Sequence, residues 1–335
     1  MYENKFHTID LSNFSFLVTG GAGFIGSNIV EYLVKYGAKK VVVLDNLATG
    51  FEENIKQFTS PSGRMGGAVE FIKGDICDLN AVKQACEGID FIFHEAALGS
   101  VPRSIENPIA THNANASGFL SVLVAAKNVG VKRIVYASSS SVYGDSTDSP
   151  KREEKTGKPL SPYAVSKVVN EFYADIFSRT YNMEIIGLRY FNIFGPRQNP
   201  KGAYAAAIPL FIEGLLNNKP VFINGDGEQS RDFTFVENAV QANMKAIFCE
   251  DKNALRDVFN IALGDKISVN QLFNTLKKIT GSSLSPVYRE ERRGDVKNSL
   301  ADISKARTIL GYEPVVKIED GLQRTVDWFR HRFTD

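Results

Sequence analysis

Short apolar runs alternate with longer helical patterns through the first half of the chain. Phe16-Leu17-Val18, Val41-Val42-Val43-Leu44, residues 69–72, Phe91-Ile92-Phe93, Ile134-Val135-Tyr136 and Ile185-Ile186 are the strand candidates. Their apolar continuity, without an alternating polar face, marks strands buried on both sides. Residues 25–36, 80–86, 109–128 and 162–181 carry helical spacing between them. Strands alternating with helices imply right-handed βαβ crossovers, so the pattern predicts an α/β fold with a doubly wound parallel sheet.

After Arg189 the pattern gives way to connections rich in glycine and proline, namely Gly195-Pro196, Asn199-Pro200 and Gly225-Asp226-Gly227, with a few helices among them. That change predicts a second, smaller α+β lobe. Residues 258–262 read as one more strand returning to the main sheet, so the lobes interleave in sequence. Residues 1–189 with about 232–263 form the first domain, and 190–231 with 264–335 the second. A length of 335 residues suits about two domains and a core that needs no staples.

Composition narrows the function classes. Lysine and arginine number 39 against 38 acids, a formal charge of +1, and no dense basic run appears, which argues against nucleic acid as the main ligand. Cys77, Cys86 and Cys249 are odd in number and lack a CxxC spacing, as expected of buried free thiols in a reducing compartment. The four histidines include no HExxH or HxH, so no metal site is predicted. The first residues carry charge and no apolar core of a secretory signal. Residues 11–30 are uncharged, yet they hold four glycines and fit strand, turn and helix better than a membrane span. The expected setting is cytoplasmic.

Thr19-Gly20-Gly21-Ala22-Gly23-Phe24-Ile25-Gly26 follows the first strand and opens the first helix. Glycines allow the tight turn and let backbone approach a pyrophosphate, while the helix start offers N–H groups and a positive dipole end. Spacing alone fits two registers, Gly21/Gly23/Gly26 and Gly20/Gly23/Gly26. Asp45 closes the second strand nineteen residues after Gly26, where an acid accepts ribose hydroxyls. An acid there repels a 2′-phosphate, and Asn46 and Leu47 bring no cation, so the predicted cofactor is NAD on a Rossmann sheet.

Tyr163 and Lys167 share one face of a helix whose start is marked by Ser161 and Pro162. Lowering a tyrosine from a pKa near 10 to about 7 takes roughly 4 kcal/mol. A lysine charge and a cationic nicotinamide together supply such a field. A second tyrosine–lysine pair at the same spacing, Tyr36 and Lys40, contains Gly37 and runs into a strand. Twenty-four residues before Tyr163, the strand ending at Ala137 opens into Ser138-Ser139-Ser140-Ser141, at the sheet edge where doubly wound folds bind ligands.

These residues, with Tyr143-Gly144 and Leu188-Arg189-Tyr190-Phe191-Asn192, resemble the extended short-chain dehydrogenase/reductase family in its nucleotide-sugar branch. The resemblance covers nearly the whole chain. Ala97-Leu98-Gly99-Ser100-Val101-Pro102-Arg103-Ser104 and Gly202-Ala203-Tyr204-Ala205-Ala206 are similar to stretches of bacterial UDP-N-acetylglucosamine 4-epimerases. It implies Tyr163, Lys167 and Ser139 as catalytic groups, the serine fixed to within one residue. It implies Gly20, Gly23, Phe24, Ile25, Gly26, Asp45, Asn46, Asp75, Ile76, Ala96, Asn115 and Phe191, with Tyr163 and Lys167, around the cofactor. It implies Ser139, Ser140, Ser141, Asn192, Phe222, Arg231, Arg292, Asp295 and Ser299 on the UDP-sugar, the arginines at the diphosphate and Asp295 at ribose.

The implied reaction is inversion at C4 through a transient 4-keto sugar, with tightly bound NAD and no net redox change. A small residue at Ser299 implies room for a 2-acetamido group, hence UDP-GlcNAc and UDP-GalNAc as substrates. A UDP-N-acetyl-hexuronate, with Arg103 near its carboxylate, or UDP-glucose and UDP-galactose are the alternatives. Dehydratases of this branch carry an acidic pair where this chain has Ser140-Ser141, and dinucleotide-binding regulators tend to lose the tyrosine or lysine. Apolar residues beyond the sheet-facing side of two helices (Phe119, Val122 and Leu123, then Phe172, Ile176 and Phe177) predict a homodimer.

Overall fold

The computed structural model describes residues 1–60, 68–200, 205–291 and 298–334. Six strands, β1 (Ser15–Thr19), β2 (Lys40–Asp45), β3 (Val69–Lys73), β4 (Phe91–His94), β5 (Arg133–Ser139) and β6 (Ile185–Tyr190), join the strand Val258–Ile261 in one sheet. Its order is Val258–Ile261, β6, β5, β4, β1, β2, β3, and every pairing is parallel. Every residue of β1, β4 and β6 is buried, as continuous apolar runs require when helices cover both faces.

One face packs on the helices Phe24–Lys35 and Val236–Ile247 through Ile29, Leu33, Val240 and Ile247. The other packs on Leu79–Cys86, Gly118–Val129 and Pro162–Tyr181 through Val82, Phe119, Leu123 and Phe177. A separate core, with Phe194, Ile212, Phe235, Leu272 and Val326, holds the smaller lobe together. Strand order reverses between β1 and β4, which opens the crevice where such sheets bind ligands.

Three expectations change. Residues 109–128 are not one regular helix: Pro108–His112 and Gly118–Val129 are joined by a π-helical turn over Asn113–Ser117, which carries Asn115 into the interior. Phe119, Val122 and Leu123 are fully buried within the chain, so their apolar character belongs to the monomer core. Phe177 is also buried, whereas Phe172 is 67 % exposed and Ile176 46 %. The cysteines are free, but only Cys86 is buried, while Cys77 is exposed and Cys249 half-buried.

A buried ion pair ties the serine turn to the sheet. Arg189 on β6 gives Glu171 a two-pronged contact at 2.9 and 2.8 Å. Glu171 also accepts from the Ser138 hydroxyl at 2.6 Å, and Arg189 reaches the Tyr143 hydroxyl at 3.1 Å. Burial would weaken the guanidinium's charge, but Glu171 more than restores it and holds the Arg189 pKa above its ordinary value. The Glu171→Ala protein leaves Arg189 buried and uncompensated, an expected loss of about 3–5 kcal/mol. Urea unfolding measures it, and a loss below about 1 kcal/mol would show the pair to behave like an exposed one.

Candidate active site

The turn after β1 sets its glycines in different surroundings. Gly20 has φ +70°, and a Cβ there would lie 2.6 Å from the Ala96 amide nitrogen. A Cβ on Gly26 would lie 2.3 Å from the Gly20 carbonyl oxygen. Gly21 instead packs against the Val43 side chain. Gly20, Gly23, Phe24, Ile25 and Gly26 line a cavity of about 730 Å³, and Gly21 does not.

Asp45 ends β2 inside the same wall. Its carboxylate accepts from the amides of Ala22 at 3.0 Å and Leu47 at 2.8 Å. Burial raises its pKa, and those amide bonds pull the other way. Asn46 donates to Asp75 at 2.8 Å, and Asp75 also accepts from the Cys77 amide at 2.8 Å. Asn46, Asp75, Ile76 and Cys77 thus form one rim of the cavity.

Tyr163 and Lys167 enter from the helix Pro162–Tyr181. Ser161 caps that helix by accepting from the Ala164 amide at 3.1 Å, and Pro162 presets the first turn. Lys167 is 2 % exposed and donates to the Ala137 carbonyl at 2.7 Å, with its Nζ 6.0 Å from the Tyr163 ring centre. Burial brings its pKa down to about 8, against the pull of Glu95 and Glu171. Burial also holds the Tyr163 pKa above its ordinary value. A hydrogen bond with Ser139 lowers it, and the charge of Glu95 raises it.

The four serines divide. Ser139 ends β5, accepts from the Ser141 amide at 3.1 Å and bonds Tyr163, and it lines the cavity beside Ser138. Ser140 and Ser141 turn into the 3-10 segment Ser140–Tyr143 and do not line this cavity. Ala96 and Asn192 line the cavity as expected. Asn115 and Phe191 do not. Asn115 is fully buried behind the wall, where it accepts from the Leu98 amide at 2.8 Å and donates to Ser166 at 3.0 Å. The Phe191 side chain has no exposed surface and packs 5.9 Å from the Tyr143 ring.

On the smaller lobe, Phe222 is 40 % exposed under the Arg289 guanidinium, which lies 3.2 Å from its ring centre. Arg231 donates to the Ser230 carbonyl at 2.9 Å, and the Ser299 amide donates to that same carbonyl at 3.1 Å. None of these three lines the cavity. Arg292 and Asp295 lie outside the described residues, as do Gly202, Ala203 and Tyr204. Arg103 starts no wall of the cavity either; it sits in the helix Val101–Glu106, for which the sequence carried no periodic signal.

Sequence reasoning missed Glu95, Tyr190 and Gln198 in the walls. Glu95 had a legible signal, a lone charge at the carboxyl end of the apolar run Phe91-Ile92-Phe93.

A backbone turn that a single Cβ would block, followed by an acid at the end of β2, suits a dinucleotide. A model described as the NAD dependent epimerase/dehydratase family matches residues 16–262, and the chain belongs to that family. Three solved structures are similar over almost its whole length. The UDP-N-acetylglucosamine 4-epimerase of Methanobrevibacter ruminantium, in complex with UDP-N-acetylmuramic acid, is 38 % identical with a TM-score of 0.88, covering 95 % of this chain and 99 % of that one. The UDP-glucose 4-epimerase of Thermotoga maritima, with UDP-glucose, is 37 % identical with a TM-score of 0.88 and the same coverage. The UDP-glucuronic acid 4-epimerase of Bacillus cereus, in complex with UDP-glucuronic acid and NAD, is 31 % identical with a TM-score of 0.86, covering 95 % and 99 %.

The cofactor is NAD, and we propose that Gly20, Gly26 and Asp45 help to hold it. In Gly26→Ala the new Cβ must displace the Gly20 carbonyl, so NAD affinity is expected to fall at least about tenfold. Isothermal titration of the cofactor-stripped protein measures this, and an unchanged affinity would contradict the reading of the turn.

Proposed function

We propose that the chain is a UDP-sugar 4-epimerase whose substrates are UDP-GlcNAc and UDP-GalNAc. In this reading Ser139 holds the C4 oxygen, and Tyr163, as phenolate, accepts the proton of the 4-hydroxyl at Oη. Bound NAD supplies the acceptor, and later the donor, of the C4 hydride. The 4-keto sugar turns over while its UDP stays held by the lobe formed by residues 190–231 and 264–335. The proton then returns from Tyr163 to the opposite configuration. Lys167, moored on Ala137, supplies a fixed positive charge behind the tyrosine.

The observation that carries the choice of a neutral sugar is the charge on the walls. Among the described lining residues the acids are Asp45, Asp75 and Glu95, and Lys167 is the one cation, its ammonium already bonded to Ala137. A C6 carboxylate would find Lys167 as the one cation among these described lining residues, already bonded to Ala137, and burying the carboxylate unpaired is costly. The 2-acetamido preference rests on the small side chain of Ser299. Proton NMR of the holoenzyme with UDP-GlcNAc, with the corresponding hexuronate run alongside, tests both. Interconversion of the neutral pair is expected, with Ser299→Tyr losing roughly ten- to a hundredfold on acetamido sugars while sparing UDP-glucose. Turnover of the uronate alone would overturn the neutral assignment, and equal loss on both sugar classes would overturn the role of Ser299.

We also propose a homodimer. Ile105, Ile109, Phe172 and Ile176 are exposed by 64, 73, 67 and 46 %, on helices that pack side by side. Apolar side chains left exposed on packed helices favour burial against a second copy. Light scattering at micromolar concentration is expected to give twice the chain mass, and a monomer mass would refute it.

A further inference from the structure

Glu95 stands in the cavity wall, and no step of the reaction above is assigned to it. It follows β4, its amide donates to the Thr19 carbonyl at 3.1 Å, and its carboxylate accepts from the Tyr190 hydroxyl at 2.8 Å. Tyr190 in turn accepts from Asn243 at 2.7 Å, which fixes the phenol as donor toward Glu95. The carboxyl is therefore moored from behind by β6 and the helix Val236–Ile247. The fold asks of this position only an acceptor for Tyr190, and a glutamine would meet that need without charge. On its other side Glu95 shares the cavity wall with Tyr163 and Lys167, and its charge acts on both.

We propose that Glu95 is a positioning residue for the tyrosine–lysine pair, and that its charge sets the pH range over which the pair works. The proposal rests on the reading of Tyr163 as the base. The titratable groups facing Glu95 are Tyr190 from β6, Tyr163 and Lys167 from the tyrosine helix, and its neighbour His94. His94 is kept neutral by burial, its pKa near 3, and bonds Thr19 at 2.8 Å. Burial raises Glu95 to about 7, with Tyr190 and Lys167 pulling it back. Ionised, it favours the Lys167 ammonium and opposes the Tyr163 phenolate.

The sign follows for both limbs of the pH–rate profile. Removing a negative charge lowers the pKa of every neighbour, so in Glu95→Gln both Tyr163 and Lys167 titrate at lower pH. The acid limb, where the tyrosine gains its charge, and the alkaline limb, where the lysine loses its own, move together by about half a unit to one unit toward acid. A defect of packing would lower the rate without moving both limbs one way.

The test compares holoenzyme kcat profiles for wild type, Glu95→Gln and Glu95→Asp, with whichever UDP-hexose turns over. The near-ultraviolet tyrosinate signal of each, minus that of its Tyr163→Phe counterpart, gives a readout apart from turnover. A joint acid shift in Glu95→Gln, a lower tyrosinate midpoint and wild-type limbs in Glu95→Asp support the proposal. Tyr190→Phe is the second variant should Glu95→Gln fail to fold: without its donor Glu95 stays neutral to higher pH, and the acid limb moves the same way. Unmoved limbs alongside an inactive Tyr163→Phe overturn the role of Glu95 alone. A Tyr163→Phe protein with wild-type turnover overturns the tyrosine reading and this proposal with it.

Discussion

The site depends on how closely two strand ends pass each other. At Gly20 the backbone leaving β1 runs so near the residues after β4 that a Cβ would sit 2.6 Å from the Ala96 amide. That approach needs a left-handed glycine, and it falls where strand order reverses. From it follow the floor of the cavity, the start of the helix Phe24–Lys35, and the placement of Glu95 and Ala96 in the cavity that Tyr163 also lines. A side chain at that point would separate the halves of the sheet whose carboxyl ends make up the site.

Charge in this cavity is governed by burial before it is governed by partners. Tyr163, Lys167 and Glu95 all have burial as the largest influence on their ionisation, and each is pushed toward its neutral form. Charged neighbours then work against that push at Lys167 and Glu95, whereas at Tyr163 the charge of Glu95 adds to it and the Ser139 hydrogen bond opposes it. A dry wall makes each such interaction stronger than it would be in water. The hydrogen bonds that fix them are backbone and side-chain contacts from three different elements. Ala137 holds the lysine, Ser139 the tyrosine, and Tyr190 with Asn243 the acid. Behind them Glu171 and Arg189 anchor Ser138, so the serine turn is braced from the core side.

Local signals were legible where one element carried them. The helix Pro162–Tyr181 could be read to its ends because Ser161 and Pro162 mark its start, and Asn182 adopts φ 54° at its close. The glycine turn and Asp45 were legible for the same reason, since both belong to one βαβ unit. What the sequence hid depends on chain segments that meet only in three dimensions. The π turn at Asn113–Ser117 brings Asn115 between Leu98 and Ser166 of the helix Pro162–Tyr181, a contact between segments distant in sequence. Which of Ser138 to Ser141 faces Tyr163 is decided by how β5 turns into its 3-10 segment, not by spacing. Phe191 looked like a cavity residue beside Asn192, yet the chain turns so that one faces the core and the other the cleft.

The central claim is that the C4 hydrogen leaves and returns without passing through water, held by a cofactor that stays in place. UDP-GlcNAc carrying deuterium at C4, incubated with the holoenzyme in ordinary water without added nucleotide, tests this directly. The account predicts UDP-GalNAc that retains deuterium at C4 by NMR and mass spectrometry. Product with hydrogen at C4 would show exchange with solvent and contradict hydride transfer within a closed site.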